Sequence, residues 1–150
     1  MKKEITITED LKGKAYRNLI TAASKFCSTG LFVIRNSVST NDTVNDLLSE
    51  LAPNLISKKE ESSWPGTELI EEVATVYKFK LNNETVAMLT NASESLFSWI
   101  QPALPEDLCL IRANGDPLLV TISHEHDAFL NILTEDEEKT LTKIKNSDIK

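Results

Sequence analysis

Both histidines of the chain fall in one five-residue stretch, Ser123-His124-Glu125-His126-Asp127. In an extended strand, imidazoles two residues apart point to the same face, and two imidazoles with a carboxylate suit zinc or another divalent cation. His124, His126 and Asp127, with Glu125 or Asp116 as substitutes for the aspartate, are therefore the residues on which a metal-dependent or hydrolytic enzyme would be built. The pattern is short, and no second histidine or cysteine cluster completes it. A polar hairpin turn whose side chains cap backbone groups explains the same residues. No catalytic residue, bound metal or cofactor is expected.

Nucleophiles are no better supported. Cys109 lies inside the apolar run LCLI and Cys27 follows an apolar helical pattern, so both read as buried free thiols of a reducing compartment. No nucleophile-elbow pattern surrounds any serine. Ala113-Asn114-Gly115-Asp116 has too few glycines to cradle a phosphate and reads as a turn.

Recognition offers more. Trp64 sits in an irregular stretch with Glu60, Glu61, Glu68, Glu71 and Glu72 around it. An aromatic anchor ringed by carboxylates suits a hot spot for a basic protein, and a loop tryptophan folded back over a sheet edge is the plainer alternative. Sixteen basic against twenty-three acidic side chains give a net charge of −7. Such a surface repels phosphate backbones, which argues against nucleic acid, and attracts basic proteins. No apolar run approaches the roughly 18 residues that span a bilayer, and no signal-peptide core follows Lys2-Lys3. A cytoplasmic protein without a membrane partner is expected.

These residues need a scaffold. Residues 104–132 hold three apolar runs, DLCLI, PLLVTI and AFLNI, parted by the two polar turns, and read as a three-stranded antiparallel meander. Upstream, a short strand is expected over 4–8, followed by a helix capped by Thr8 or Asp10. Leu11, Ala15, Leu19, Ala22 and Phe26 share one face of that helix, and Gly30 is expected to end it in a left-handed cap. LFVIRN (31–36) reads as a strand. Val44, Leu47, Leu48 and Leu51 mark a helix stopped by Pro53.

Residues 54–72 are irregular, with Leu55 and Ile56 able to begin a strand and Trp64-Pro65-Gly66-Thr67 a turn. ATVYKFKL (74–81) alternates as a strand with Tyr77 and Phe79 on one face and Val76 on the other. Asn82 and Asn83 cap a helix in which Val86, Leu89, Ala92 or Ser93, Leu96 and Ile100 keep a 3.6 period, with Asn91 a point of interruption and Trp99 near its end. Thr134 and Glu137 form a capping box for a last helix that frays after Lys145. No repeat or linker divides the chain. One α+β domain over 1–150 follows, an antiparallel sheet ending in the meander, with helices packed mostly on one face.

Ser63-Trp64-Pro65-Gly66-Thr67, Ala74-Thr75-Val76-Tyr77, Trp99 with Pro102, Leu104-Pro105-Glu106-Asp107-Leu108-Cys109 and Ser123-His124-Glu125 together resemble a family of small, largely uncharacterised bacterial proteins. The resemblance covers roughly residues 61–137. In size and acidity such proteins are loosely similar to the immunity proteins of polymorphic toxin systems. It implies interaction rather than catalysis and assigns no catalytic residue. The expected function is a non-enzymatic, acidic protein-binding module, an immunity-type inhibitor of a basic toxin, with Trp64, Glu60, Glu61, Glu68, Glu71 and Glu72 as the contact residues. The alternative is the enzyme centred on His124, His126 and Asp127.

Overall fold

Strand β2 (Thr29–Arg35) reads TGLFVIR because both of its faces are covered, so alternation would leave polar groups buried; β1 (Lys3–Ile7) and α1 (Lys14–Ser24) precede it. The computed structural model describes residues 2–146. Further along lie α2 (Asp42–Leu51), β3 (Leu55–Glu61) and the small hairpin β4 (Ser63–Trp64) and β5 (Thr67–Glu68). Then come β6 (Ala74–Lys80), α3 (Asn83–Ala92), β7 (Glu106–Ile111), β8 (Pro117–Ile122), β9 (Asp127–Ile132) and α4 (Glu135–Leu141). Seven strands form one antiparallel sheet in the order β1-β9-β8-β7-β2-β6-β3, and β4-β5 stands apart. The expected meander is β7-β8-β9.

Helices cover one face of the sheet. Tyr16, Leu19 and Ile20 of α1, Leu47 and Leu51 of α2, Met88 and Leu89 of α3 and Leu141 of α4 bury against Phe32, Phe79, Leu108 and Leu110. Trp99 stacks on Phe32 at 5.9 Å and donates its indole N–H to the Tyr16 hydroxyl at 2.9 Å. That hydroxyl donates in turn to the carbonyl of Leu89 at 2.6 Å. The opposite face carries a smaller cluster, Leu31, Val33, Ala74, Val76, Cys109 and Val120, and Trp64 of the hairpin closes over it. Tyr77 and Phe79 bury with the helical side and Val76 with the other, as their alternation predicts.

Several boundaries differ from expectation for identifiable reasons. Gly30 is not a helix cap: α1 ends at Ser24 with Lys25 in right-handed geometry, and Gly30 lies within β2. Asp10 does not cap α1 but accepts the backbone N–H of Phe97 at 2.8 Å, while Gly13 occupies the cap position. Helix α3 stops at Ala92, where the Ser93 hydroxyl engages both the N–H and C=O of Ser95 in place of the helical ladder. Leu96 and Trp99 reach the core from a separate 3-10 turn, Leu96–Ser98, and its C-terminal flank. Asn146 bonds to Lys12, Glu9 and Asp10, and the rest of the tail expected to fray, 147–150, lies outside the described residues.

Candidate functional site

The most unusual chemistry is buried at the start of β7. Glu106 and Asp107 are adjacent carboxylates with 0% exposure. Opposite them, β2 advances two residues from Leu31 to Val33 while β7 spans three, from Cys109 to Glu106. This bulge accompanies Asp107 at φ 56°, a left-handed conformation that a non-glycine residue rarely adopts. Such a displacement re-aims the two side chains, and each finds a separate set of donors.

Glu106 Oε1 accepts from Arg35 Nε at 3.0 Å and lies 2.7 Å from His124 Nε2, and Oε2 accepts the Gln101 N–H at 3.0 Å. Asp107 Oδ2 accepts the Trp64 indole N–H at 2.9 Å and the Thr67 hydroxyl at 3.4 Å. Its Oδ1 accepts the Ser123 N–H at 2.8 Å, and the Asp107 N–H donates to Ser123 Oγ at 2.9 Å. Arg35, 17% exposed at its side chain, lies within ion-pair distance of both carboxylates and 5.8 Å from the centre of the Trp64 ring. The Gln101 side chain fixes that strand end, accepting from Arg35 N–H and donating to Arg35 and Val38 carbonyls. Charges removed from water need such compensation, and here it is complete: among the described residues no buried side-chain N or O lacks a partner.

The histidine cluster takes a different shape from the expected extended one. Ser123–Glu125 is a 3-10 turn and His126 is left-handed at φ 51°. His124, 46% exposed, turns to Glu106, whereas His126 lies edge-on to Phe97 at 6.1 Å. Asp127 binds the N–H of Ala128. The three side chains therefore engage three different partners, and among the described residues no group of three or more His, Cys, Asp or Glu is placed to hold a metal. Four surface hollows of about 190, 290, 400 and 480 Å³ are lined without His124, Glu106 or Asp107. Burial pushes the thiols of Cys27 and Cys109 up to about 12, so both are protonated at neutral pH.

The expected contact residues divide. Trp64 is only 7% exposed and bonded to Asp107, so the exposed aromatic anchor is corrected: this side chain covers the sheet. Glu60, Glu68, Glu71 and Glu72 are exposed and Glu61 half-buried. Beside them stand Ile70, 85% exposed, and Val73, 44% exposed, which the sequence reading passed over. It also passed over Arg35, Gln101, Glu106, Asp107 and Ser123. The available signal was Glu106-Asp107 fused to the front of an apolar strand, two charges with no polar side to occupy. Trp64, Thr67, Trp99, Glu106, Asp107, Ser123 and His124 contribute to this one network. No family model, curated protein or solved structure matches the chain.

Proposed function

We propose that this chain is a non-enzymatic protein-binding module whose docking surface is the outer end of β3 with the hairpin and the 69–73 loop. The carrying observation is the pairing of exposed Ile70 and Val73 with Glu60, Glu61, Glu68, Glu71 and Glu72 in one short span. An apolar centre with a carboxylate rim fits a basic protein: the aliphatic contact holds it and the charges steer it. The net charge of −7 adds long-range attraction for the same partner. In its most concrete form the module is an immunity-type inhibitor that covers the active site of a basic toxin.

The test is capture from lysate of the native host with two baits, the wild type and a variant with Glu68, Glu71 and Glu72 changed to lysine, each at low and high salt. The expected result is a basic protein retained by the wild type, weakened by salt, and lost from the variant. No retained protein, or equal retention by both baits, would overturn the reading.

One observation favours the alternative hydrolytic reading: a half-exposed imidazole oriented by a buried carboxylate is the arrangement of a general base and its positioning group. That reading requires hydrolysis of some ester, amide or phosphoester by the wild type and its loss in His124→Ala.

A further inference from the structure

The hairpin that borders the proposed docking surface is fastened to the sheet in an unusual way. Strands β4 and β5 pair only with each other, Ser63 with Glu68 and Trp64 with Thr67. The Leu69 N–H to Ser62 carbonyl bond of 2.7 Å closes its base. Its tip lies on the second apolar face: the Pro65 carbonyl is 3.9 Å from Cys109 Sγ. A Cβ on Gly66 would meet Val120 at 2.8 Å. The directional contacts made by its side chains converge on one atom, Asp107 Oδ2, reached by the Trp64 indole and the Thr67 hydroxyl. Arg35 bears on both Trp64 and Asp107.

A unit that is closed by its own backbone pairing, and held to the sheet by side-chain contacts alone (the Asp107 carboxylate, the Arg35 guanidinium over Trp64 and the packing of Trp64 on the second apolar face), is the kind of element that opens separately from the core. We infer that the hairpin 63–68 is a flap that opens as a unit about Ser62 and the 69–73 loop, and that Asp107 is its latch. Closing the flap is what presents Glu68, Ile70, Glu71, Glu72 and Val73 as one surface; this last step rests on the docking reading, the opening itself does not. Trp64 and Asp107 are then positioning residues for recognition, acting from beneath the surface and touching no partner. Opening also uncovers Leu31, Val33, Val76, Cys109 and Val120, so the open state carries an apolar strip that the closed state hides.

Cys109 is the reporter, because it lies under the flap and a labelling reagent reaches it only after opening. In a Cys27→Ser background it is the sole thiol among the two cysteines of the chain. The experiment follows its modification by Ellman's reagent at mildly alkaline pH across a series of sub-denaturing urea concentrations, beside global unfolding by circular dichroism. For the unaltered flap, the labelling free energy is expected to fall with urea less steeply than that of global unfolding, since a small opening exposes little surface. Trp64→Phe keeps a ring and loses the indole donor. It is expected to raise the labelling rate in the absence of urea about tenfold to a hundredfold, the effect of removing a hydrogen bond to a buried carboxylate. Thr67→Val, a milder change, should move the rate the same way by less.

Labelling of the unaltered flap that follows global unfolding in both slope and magnitude would overturn the proposal and make the hairpin part of the cooperative core. So would a Trp64→Phe variant whose labelling rate in the absence of urea is unchanged while its global stability falls. No partner protein enters the measurement, so this outcome and the capture result fail independently. A flap that opens while capture finds nothing defeats the docking reading alone.

Discussion

At Gly30 the constraint is an aromatic ring rather than a dihedral angle. A Cβ there would stand 2.3 Å from two atoms of the fully buried Phe79 ring, across the β2–β6 pairing that sets these residues opposite each other. Gly30→Ala should therefore destabilise by about 1–3 kcal/mol through forced repacking, read as a lower urea midpoint with unchanged slope. The sequence offered glycine after a helix and suggested a cap. Only the pairing of distant strands reveals the ring.

Glu137 makes a different demand. Burial favours its neutral form, but Arg112, which engages both oxygens at 2.8 Å, and the N–H groups of Leu133 and Thr134 more than offset this and hold its carboxyl below the ordinary value. A lowered folded-state pKa means that its stabilisation is fully present above the unfolded carboxyl's pKa. It is lost as pH falls through the folded value. Glu137→Gln should cost about 3 kcal/mol at neutral pH by leaving Arg112 buried with a weaker partner. The stability gap between wild type and variant, measured by urea titration, should narrow steadily below about pH 5. A gap independent of pH would refute the assignment.

At the scale of the element, what was legible in the sequence was what local chemistry decides. Thr134 and Glu137 form the expected capping box, and Asn82 forms another with Thr85. Both are written in residues three apart, and the alternation of β6 in residues two apart. Asn82 does more than its spacing announces, because its Nδ2 also donates to the buried Asn54 Oδ1 at 2.8 Å and so ties α3 to the turn after α2. Asn82→Ala should thus cost more than an ordinary cap, about 2 kcal/mol against about 1 kcal/mol for Thr134→Ala, compared by thermal or urea unfolding.

Where an element's fate depended on a distant partner, the sequence was silent. Asp10 has the residue type of a helix cap, but its carboxylate accepts the backbone N–H of Phe97 instead. The 57–61 stretch looked irregular because an edge strand with charged side chains lacks a clear period. The candidate site was obscured for the same reason: Glu106-Asp107 gains meaning from Arg35, Trp64, Ser123 and His124, which are close only in the folded chain. The conspicuous His124-x-His126 spacing, by contrast, presupposed an extended backbone that the 3-10 turn does not provide.

At the scale of the molecule, the sheet has two edge strands, β1 and β3, each paired on one side only. An edge of unpaired N–H and C=O groups is a template for another strand, and proteins commonly guard it with lysine. On β3 that guard is Lys58 and Lys59, both exposed, with the Lys58 ammonium 5.7 Å over the Tyr77 ring. Leu55 and Ile56, exposed large apolar residues, sit at the same strand's start and would otherwise favour stacking. Replacing both lysines by threonine keeps strand propensity, removes the positive charges that a second copy would have to desolvate, and leaves the glutamates of the docking surface in place. Self-association through β3 should then appear as a mass that rises with concentration in light scattering, with the wild type showing a shallower rise. Added salt distinguishes the cause. If charge repulsion from the overall −7 were the main barrier, salt would promote association of wild type and variant alike. If the two lysines guard the edge locally, the variant associates more strongly than the wild type at every ionic strength.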